Sequence, residues 1–220
     1  MGIESSTTTD GAAPGLREAK KRETRQVISD QATRLFIQRG FERTTIAEIA
    51  AAARVAKKTV TNYFPRKEDL ALDHQDAFVA SLARCVADRA SGEPALTALR
   101  RAFLAAVAAQ DPLAGFAGPL FTRMIAESPA LTTCLRGLHD QREEALARAL
   151  AEDTGAAPDA IAPRTAAALI GGVHRVLFRR IQDLTLAGYP NPEVAKVVEP
   201  EAIQAFALLE PSLAHYAVAR

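Results

Sequence analysis

Apolar residues recur at helical spacing along almost the whole chain, and no segment alternates apolar and polar residues as a half-buried strand does. This pattern predicts an all-α fold of about nine helices. The first predicted helix runs from Leu16 to Arg39 and ends at Gly40, where a left-handed residue is expected. Residues 1–15 are rich in Ser, Thr, Gly and Ala and almost without large apolar side chains, so we expect a disordered tail there.

Two short helices in close succession follow the first one. The first of the pair is predicted over residues 46–53, where Thr45 and Glu48 have the spacing of a capping box. The second is predicted over residues 57–63. Such a pair is typical of a helix-turn-helix, so we expect residues 16–66 to form a DNA-binding domain.

The remaining residues, 67–220, are predicted to form a larger helical domain for ligand binding and dimerisation. Its helices are expected over residues 67–89, 94–109, 113–127, 129–151, 163–187 and 200–218. A proline-containing linker, residues 189–199, is predicted to separate the last two. The helix over residues 67–89 is expected to be one rigid rod, with its first turn at the DNA-binding head and its later turns in the body.

Charge is distributed unevenly between the two predicted domains. Residues 1–72 hold 13 Lys and Arg against 9 Asp and Glu, a net charge of +4, whereas residues 73–220 carry −3. A basic head suits a polyanionic partner. No segment approaches the roughly 18 apolar residues of a membrane span, and the N-terminus lacks the apolar stretch of a signal peptide. We therefore expect a cytoplasmic protein that does not bind membranes, and two cysteines without CxxC spacing fit a reducing compartment.

Residues 25–72 resemble the DNA-binding domain of the TetR family of transcriptional regulators. The matching positions are Ala32, Leu35-Phe36, Arg39-Gly40-Phe41, Thr44-Thr45-Ile46-Ala47-Glu48-Ile49-Ala50, Val55, Thr59-Val60, Tyr63-Phe64 and Lys67-Glu68-Asp69-Leu70. These positions keep a fixed register with the helix boundaries, which makes the match specific. The resemblance implies a homodimeric repressor that binds a pseudo-palindromic double-stranded DNA operator and is released by a small, largely apolar effector.

The second short helix begins with two cations, Lys57 and Lys58, at the positive end of its macrodipole. An anion bound at this helix end is one explanation, and two long solvated side chains are the other. In the family this helix enters the major groove, which makes both lysines candidates for guanine or phosphate contacts and Asn62 a candidate reader of adenine. The full set of candidate DNA contacts is Thr44, Thr45, Lys57, Lys58, Thr59, Thr61, Asn62, Tyr63 and Lys67.

Three positions depart from the family pattern. Arg54 stands in the turn where the family usually has glycine, and Ala56 stands at a cap where serine is common. Arg54 is expected either to strain the turn or to add a phosphate contact. Thr61 stands at a position where the family often has tyrosine.

The family resemblance implies that the last two helices pair with those of a second copy. Gly171 and Gly172 each cost about 1 kcal/mol relative to alanine inside a helix, so we expect a close backbone approach there, either to the partner subunit or to a ligand. The candidate interface is Leu169, Ile170, Gly171, Gly172, Val173, Leu177, Ile203, Phe206, Leu209, Leu213 and Tyr216. The alternative for these residues is ordinary core packing within one chain.

A ligand pocket is expected among the four helices over residues 94–109, 113–127, 129–151 and 163–187. Its candidate residues are Phe103, Val107, Phe116, Phe121, Met124, Leu138, His139, Arg142, His174, Arg175 and Phe178. The histidines and arginines of this set can orient a carboxylate or a carbonyl of the ligand. Core packing is the competing interpretation for each apolar member.

The sequence gives no indication of an enzyme, a metal site or a cofactor. It contains no GxSxG, Walker, HExxH or strand-linked GxGxxG motif, and its four histidines are far apart without an i, i+4 pair. The alternative function is a helical small-molecule carrier or interaction protein whose helix-turn-helix is vestigial.

Overall fold

The computed structural model describes residues 15–157 and 159–218, and all regular structure within these ranges is helical. The predicted all-α fold is confirmed. The helices are α1 (Leu16–Arg39), α2 (Ile46–Ala52), α3 (Lys57–Tyr63), α4 (Lys67–Ala71), α5 (Gln75–Ala87), α6 (Ala95–Ala108), a 3-10 turn (Pro112–Ala114), α7 (Pro119–Glu127), α8 (Pro129–Thr154), α9 (Ile161–Leu186), α10 (Asn191–Ala207) and α11 (Glu210–Leu213). Residues 1–14 of the predicted tail lie outside the described residues.

The head consists of α1 to α4 around a small apolar core. Buried members of this core are Ile28, Phe36, Ile49, Val60, Phe64 and Leu70. Met124, Ile125 and Leu131, from α7 and the start of α8, pack into the same cluster. The head is therefore joined to the body through shared apolar packing. Helix α4 also contributes to the head core, and the domain boundary expected after residue 66 stays a prediction.

The body is built on long helices that pack side by side. Helix α5 lies along α8, α8 along α9, and α10 lies against both α6 and α9. Their buried side chains form one large cluster that includes Leu146, Leu150, Ile170, Ile181 and Phe206. The end of the chain returns to α6, where Pro94 and Val218 form an isolated bridge. No described helix is long and apolar enough to cross a membrane.

The expected rod over residues 67–89 is wrong, because the helix breaks between α4 and α5. Leu72 has left the helical region, with φ −114° and ψ 49°, although neither proline nor glycine marks the break. At this point Asp73 accepts a hydrogen bond from the Ser29 hydroxyl on α1. A tertiary bond between α1 and the α4–α5 link accompanies the break, and helical periodicity carries no signal for such a bond.

Two other segments differ from the prediction. The helix expected over residues 113–127 begins only at Pro119, because Gly115 and Gly118 adopt positive φ values of 123° and 78°. A side chain at Gly115 would meet the Ile181 side chain on α9 at 3.3 Å. Conversely, the linker expected over residues 189–199 is wrong: these residues belong largely to α10, which tolerates Pro200 inside it and buries Val194 and Val198.

Candidate DNA-binding surface and ligand cleft

The predicted capping box at the start of α2 is confirmed. The Thr45 hydroxyl accepts a hydrogen bond from the Glu48 backbone N–H at 3.2 Å, and the Glu48 carboxylate accepts one from the Thr45 backbone N–H at 2.8 Å. The backbone N–H and the hydroxyl of Thr45 both donate to the Glu48 carboxylate at 2.8 Å, and these bonds, together with Arg39 at 3.0 Å, lower the pKa of Glu48. The entry to the helix-turn-helix is thus fixed by local hydrogen bonds that the sequence already indicated.

The turn and the start of α3 lack comparable local support. Arg54 has φ 55°, in the left-handed region that favours glycine, and its side chain is exposed. Ala56 occupies the N-cap of α3 and makes no side-chain capping bond. Two of the three departures from the family pattern, Arg54 and Ala56, therefore occupy positions where glycine and a hydroxyl side chain, respectively, would stabilise the backbone better.

Helix α3 directs polar side chains outward while Val60 enters the head core. Lys57, Lys58 and Asn62 are exposed, and neither lysine has an acidic side chain within 4.0 Å among the described residues. Thr59 is half-buried. The exposed start of α3 can therefore meet an anionic partner without first breaking an ion pair.

The other DNA candidates differ in how free their polar atoms are. Thr61 donates its hydroxyl to the Lys58 carbonyl at 3.1 Å, within the helix. Tyr63 is half-buried, and its carbonyl accepts a bond from Arg25 at 3.0 Å. Lys67 donates to the Glu42 carbonyl at 3.3 Å and lies over the Phe41 ring, 4.3 Å from its centroid.

One candidate is wrong as a DNA contact. Thr44 is only 1% exposed, and its hydroxyl donates to the Gly40 carbonyl at 2.9 Å. The hydroxyl is hydrogen-bonded at the end of α1, and the buried side chain is not accessible to a phosphate. Its neighbour Thr45 is exposed, although its hydroxyl is engaged with Glu48.

A large cleft opens at the junction of head and body, with a volume of about 690 Å³. One wall is α1, and the others come from the α4–α5 link, the 3-10 turn, α7, α8 and α9. Its lining includes Phe78, Phe116, Phe121, Leu138 and Phe178 as apolar residues. This volume falls in the range of ligand pockets, roughly 300–1,000 Å³.

The α1 wall of the cleft was not predicted from the sequence. Gln26, Ser29, Asp30, Thr33 and Ile37 line it. Their i, i+3, i+4, i+7 spacing places them on one face of α1, and this spacing was the available signal. The cleft therefore has direct contact with a helix of the DNA-binding head.

A second, smaller cavity of about 160 Å³ lies deeper in the body and shares Leu113 and Phe178 with the cleft. Phe103, Arg142 and His174 line it. His174 is fully enclosed, its Nε2 has no hydrogen-bond partner among the described residues, and burial lowers its pKa well below the usual value.

Seven of the eleven pocket candidates line the cleft, the inner cavity or both. Phe116, Phe121, Leu138 and Phe178 line the cleft, and Phe103, Arg142, His174 and Phe178 line the inner cavity. The other four line neither space: Val107 and Met124 are core residues, His139 packs between the Phe78 and Phe178 rings, and Arg175 bonds Glu143 at 2.7 Å.

The interface candidates divide between the core and the surface. Ile170, Gly171, Leu177, Phe206, Leu209 and Leu213 are buried within the single chain. Val173 and Tyr216 are half-buried against the same core. Leu169 and Ile203 are 43% and 48% exposed, and the structure adds Val176 and Leu208, which are 66% and 81% exposed. The buried group therefore matches the alternative of intrachain core.

The two adjacent glycines of α9 have different surroundings. A side chain at Gly171 would meet the Glu143 carboxylate on α8 at 2.9 Å, so the close approach at this position is within the chain. Gly172 has open space where a side chain would be. It lies on the α9 face that also carries Leu169 and Val176.

A helix-turn-helix with an exposed basic helix, on a helical body with an internal cleft, defines a DNA-binding regulator. The family model for bacterial regulatory proteins of the tetR family matches residues 28–73, which end at the break after α4. The HTH-type transcriptional regulator TcmR of Streptomyces glaucescens is 32% identical over an alignment 180 residues long, and the alignment covers 79% of this chain and 80% of TcmR. The chain belongs to the TetR family of transcriptional regulators.

Solved structures share the fold. The SmeT–triclosan complex superposes with a TM-score of 0.55 at 19% identity, over 86% of this chain and 91% of SmeT. NalD of Pseudomonas aeruginosa, the secondary repressor of the MexAB-OprM multidrug efflux pump, superposes with a TM-score of 0.53 at 16% identity, over 85% of this chain and 97% of NalD.

Proposed function

We propose that this transcriptional regulator is a homodimeric repressor that binds a pseudo-palindromic operator through α3 and releases it when a small, largely apolar effector fills the cleft. It acts by binding rather than by catalysis, and its place of action is the cytoplasm, where the operator is accessible. The observation that carries the proposal is that one cleft is lined both by α1 of the head and by helices of the body.

The DNA contacts in this proposal are the exposed polar residues of α3 and its flanks. Lys57, Lys58 and Asn62 supply the free donors that face outward. Thr45, Thr59, Thr61, Tyr63 and Lys67 complete the set as contacts that position the helix on phosphates. Thr44 is excluded because it is buried.

Dimerisation is proposed through the exposed apolar face of α9 and α10. Leu169, Val176, Ile203 and Leu208 supply this face, and Gly172 gives room for a close helix approach. Light scattering at micromolar concentration is expected to give twice the mass of one chain, and Val176→Glu is expected to give a monomer because it places a charge in the apolar face. A wild-type monomer would contradict the dimer.

Release follows from the position of the cleft. A ligand there contacts α1 and the α4–α5 link, which the bond between Ser29 and Asp73 holds together. Filling the cleft moves the head against the body and changes the distance between the two recognition helices. Half-sites one helical turn apart need a separation of about 34–36 Å, so a shift of a few ångströms weakens both half-site fits together. The SmeT structure, which holds triclosan, supports a small apolar effector.

Reciprocal titration tests this switch. An effector that lowers operator affinity 5- to 150-fold must prefer the DNA-incompetent state by about 1–3 kcal/mol, and operator must weaken effector binding by the same factor. A bulky substitution in the α1 wall, Thr33→Trp, is expected to block the effector and leave the protein on DNA. A ligand that binds in the cleft without any change in operator affinity is not the effector, and the same behaviour from every cleft ligand would contradict the switch.

A further inference from the structure

Arg142 of α8 is a buried cation without an ion-pair partner among the described residues. It is only 8% exposed, and its guanidinium stacks on the Phe78 ring with Cζ 4.5 Å from the centroid. Its Nε donates to the Ser81 hydroxyl at 2.8 Å, and this hydroxyl donates onward to the Phe78 carbonyl. No carboxylate of the described residues lies within 4.0 Å of the guanidinium nitrogens. One of five N–H groups is thus hydrogen-bonded.

The charge of Arg142 persists despite its burial. Burial lowers the pKa of Arg142 to about 10, while the charge of Asp111 raises it, so the group stays protonated at neutral pH. A buried charge without a partner is unfavourable for folding, and proteins normally pair such a charge or neutralise it. An unpaired guanidinium held in place by Ser81 and Phe78 is therefore prepared for an anion that is not part of the described chain.

The free side of Arg142 faces the inner cavity of about 160 Å³. A cavity of this size is large enough for one aromatic ring, since an apolar cavity of about 150 Å³ holds benzene. Phe103 and Phe178 give it apolar walls, and the unpartnered Nε2 of buried His174 is a second polar group there. The cavity thus offers one cation and one neutral imidazole among aromatic rings, the composition of a site for the polar end of an organic molecule.

Asp111 also lines this cavity and restricts the charge of the ligand. Its carboxylate accepts a hydrogen bond from the Leu113 backbone N–H at 2.8 Å, which caps the 3-10 turn and keeps it away from Arg142. Arg142 can pair with one negative charge of a ligand, and Asp111 repels any further negative charge on the same ligand. A singly charged carboxylate is therefore favoured over a dianionic phosphate.

We propose that the inner cavity binds the carboxylate of the effector on Arg142, so that the effector is an aromatic monocarboxylic acid whose apolar remainder extends into the cleft. This inference rests on the proposed function, because it assigns a chemical class to the ligand of the same site. Leu113 and Phe178 line both spaces, so side chains alone separate the acid site from the cleft. Arg142 binds the carboxylate, and Ser81 positions Arg142.

The test uses three acids of increasing size, each with its neutral amide, on the full-length DNA-free protein. Benzoate, 2-naphthoate and anthracene-2-carboxylate are titrated calorimetrically against benzamide, 2-naphthamide and the anthracene amide. At least one acid is expected to bind about tenfold or more tightly than its amide, which is the range for a hydrogen bond to a charged group. Arg142→Gln is expected to remove this preference. Arg136→Gln, an exposed arginine on the same helix, is the matched control and keeps it.

Equal binding of each acid and its amide to the wild-type protein would overturn the acid site, and so would the absence of binding by all three acids. Neither result depends on whether Arg142→Gln folds. The operator assay separates this inference from the proposed function. If every acid that binds through Arg142 leaves operator affinity unchanged, the result contradicts the switch and supports the site. A neutral molecule that releases operator equally from wild type and from Arg142→Gln supports the switch and overturns the acid site.

Discussion

Two sets of unpaired cations lie in opposite surroundings in this protein. Lys57 and Lys58 stand exposed at the start of α3, whereas Arg142 is buried between helices of the body. Neither set has a carboxylate within 4.0 Å among the described residues. Water solvates the lysines, so leaving them unpaired costs little, and an anion that binds them competes with salt. Arg142 is only 8% exposed, so its pairing with an anion is worth more and is screened less.

The difference shows how one chain can recognise two anions with separate chemistry. The head offers exposed, solvated charges that suit the extended phosphate surface of DNA. The body offers a single oriented charge in an apolar cavity, which suits one small molecule with one acidic group.

The largest expected effect comes from removing the buried charge. Arg142→Met is expected to raise the free energy of unfolding of the ligand-free protein by about 1–4 kcal/mol, because an apolar side chain of similar length replaces an uncompensated charge. The Ser81 hydroxyl keeps its bond to the Phe78 carbonyl, so no new polar group is orphaned. Urea unfolding measures the change.

Arg136→Met is the matched control, since this arginine is exposed on the same helix, and it is expected to change stability by no more than about 0.5 kcal/mol. A destabilised Arg142→Met protein would mean that the guanidinium is already compensated, with Asp111 as the nearest candidate.

The next effect is a loss of stability in acid that originates in the body. Burial, followed by the charges of Arg142, Arg175 and Arg179, lowers the pKa of His139 from 6.5 to about 4. Between these values the unfolded chain takes up a proton that the folded protein does not. Stability therefore falls as the pH drops from 6.5 towards 4, by up to about 3 kcal/mol from this group.

His139→Gln is expected to remove this part of the loss of stability in acid. The part that comes from His174 is expected to remain, because burial lowers the pKa of His174 as well. Unfolding curves at several pH values between 7 and 4 measure it. His215→Gln, at an exposed position, serves as the control. The assignment fails if the two substitutions change the pH profile equally.

Substitution of the exposed cations of α3 is expected to weaken DNA binding by a free energy of similar size and to leave the stability of the body unchanged. Lys57→Ala is expected to weaken operator binding by about 1–3 kcal/mol and to relax the preference at one base pair. Lys67→Ala is expected to weaken binding to all DNA sequences alike. Lys196→Ala, on α10, is expected to leave binding to every sequence unchanged. Fluorescence anisotropy with operator and random duplexes measures this, and equal losses on both duplexes for Lys57→Ala would show that Lys57 contacts phosphate only.

The smallest effects concern the backbone around the turn of the head. Arg54→Gly is expected to stabilise the protein by about 1 kcal/mol, because Arg54 has φ 55°. Ala56→Ser is expected to add a similar amount through a capping bond at α3. If Arg54 also contacts phosphate, Arg54→Gly weakens DNA binding while it stabilises the fold, and thermal unfolding with anisotropy separates the two roles.

The head could be predicted from sequence almost residue by residue. The bounds of α1 and α3 and the capping box at Thr45 follow from local signals such as Gly40, Glu48 and helical spacing. Local hydrogen bonds dominate these elements, so nearby residues suffice to identify them.

The body was less predictable because its boundaries depend on tertiary contacts. The break after α4 accompanies a bond from Ser29, 44 residues away, and α10 persists through Pro200 because Val194 and Val198 are buried. The ligand cleft was placed among body helices alone, because the spacing on α1 is the same for a helix face that meets solvent and for one that lines a cleft. Residues such as Thr44 were assigned to DNA by position, whereas their burial depends on the fold.

The salt dependence of operator binding tests the contrast between the two sets of cations most directly. A plot of log Kobs against log salt is expected to be steep for the wild-type protein. The variant with both Lys57→Ala and Lys58→Ala is expected to lose about 3.6 from the slope if each of the four lysines that the dimer carries at these positions neutralises one phosphate. Arg142→Gln is expected to leave the slope unchanged, because its charge is directed into the body. A wild-type slope near zero, or a slope that changes with Arg142 rather than with the two lysines, would contradict the account.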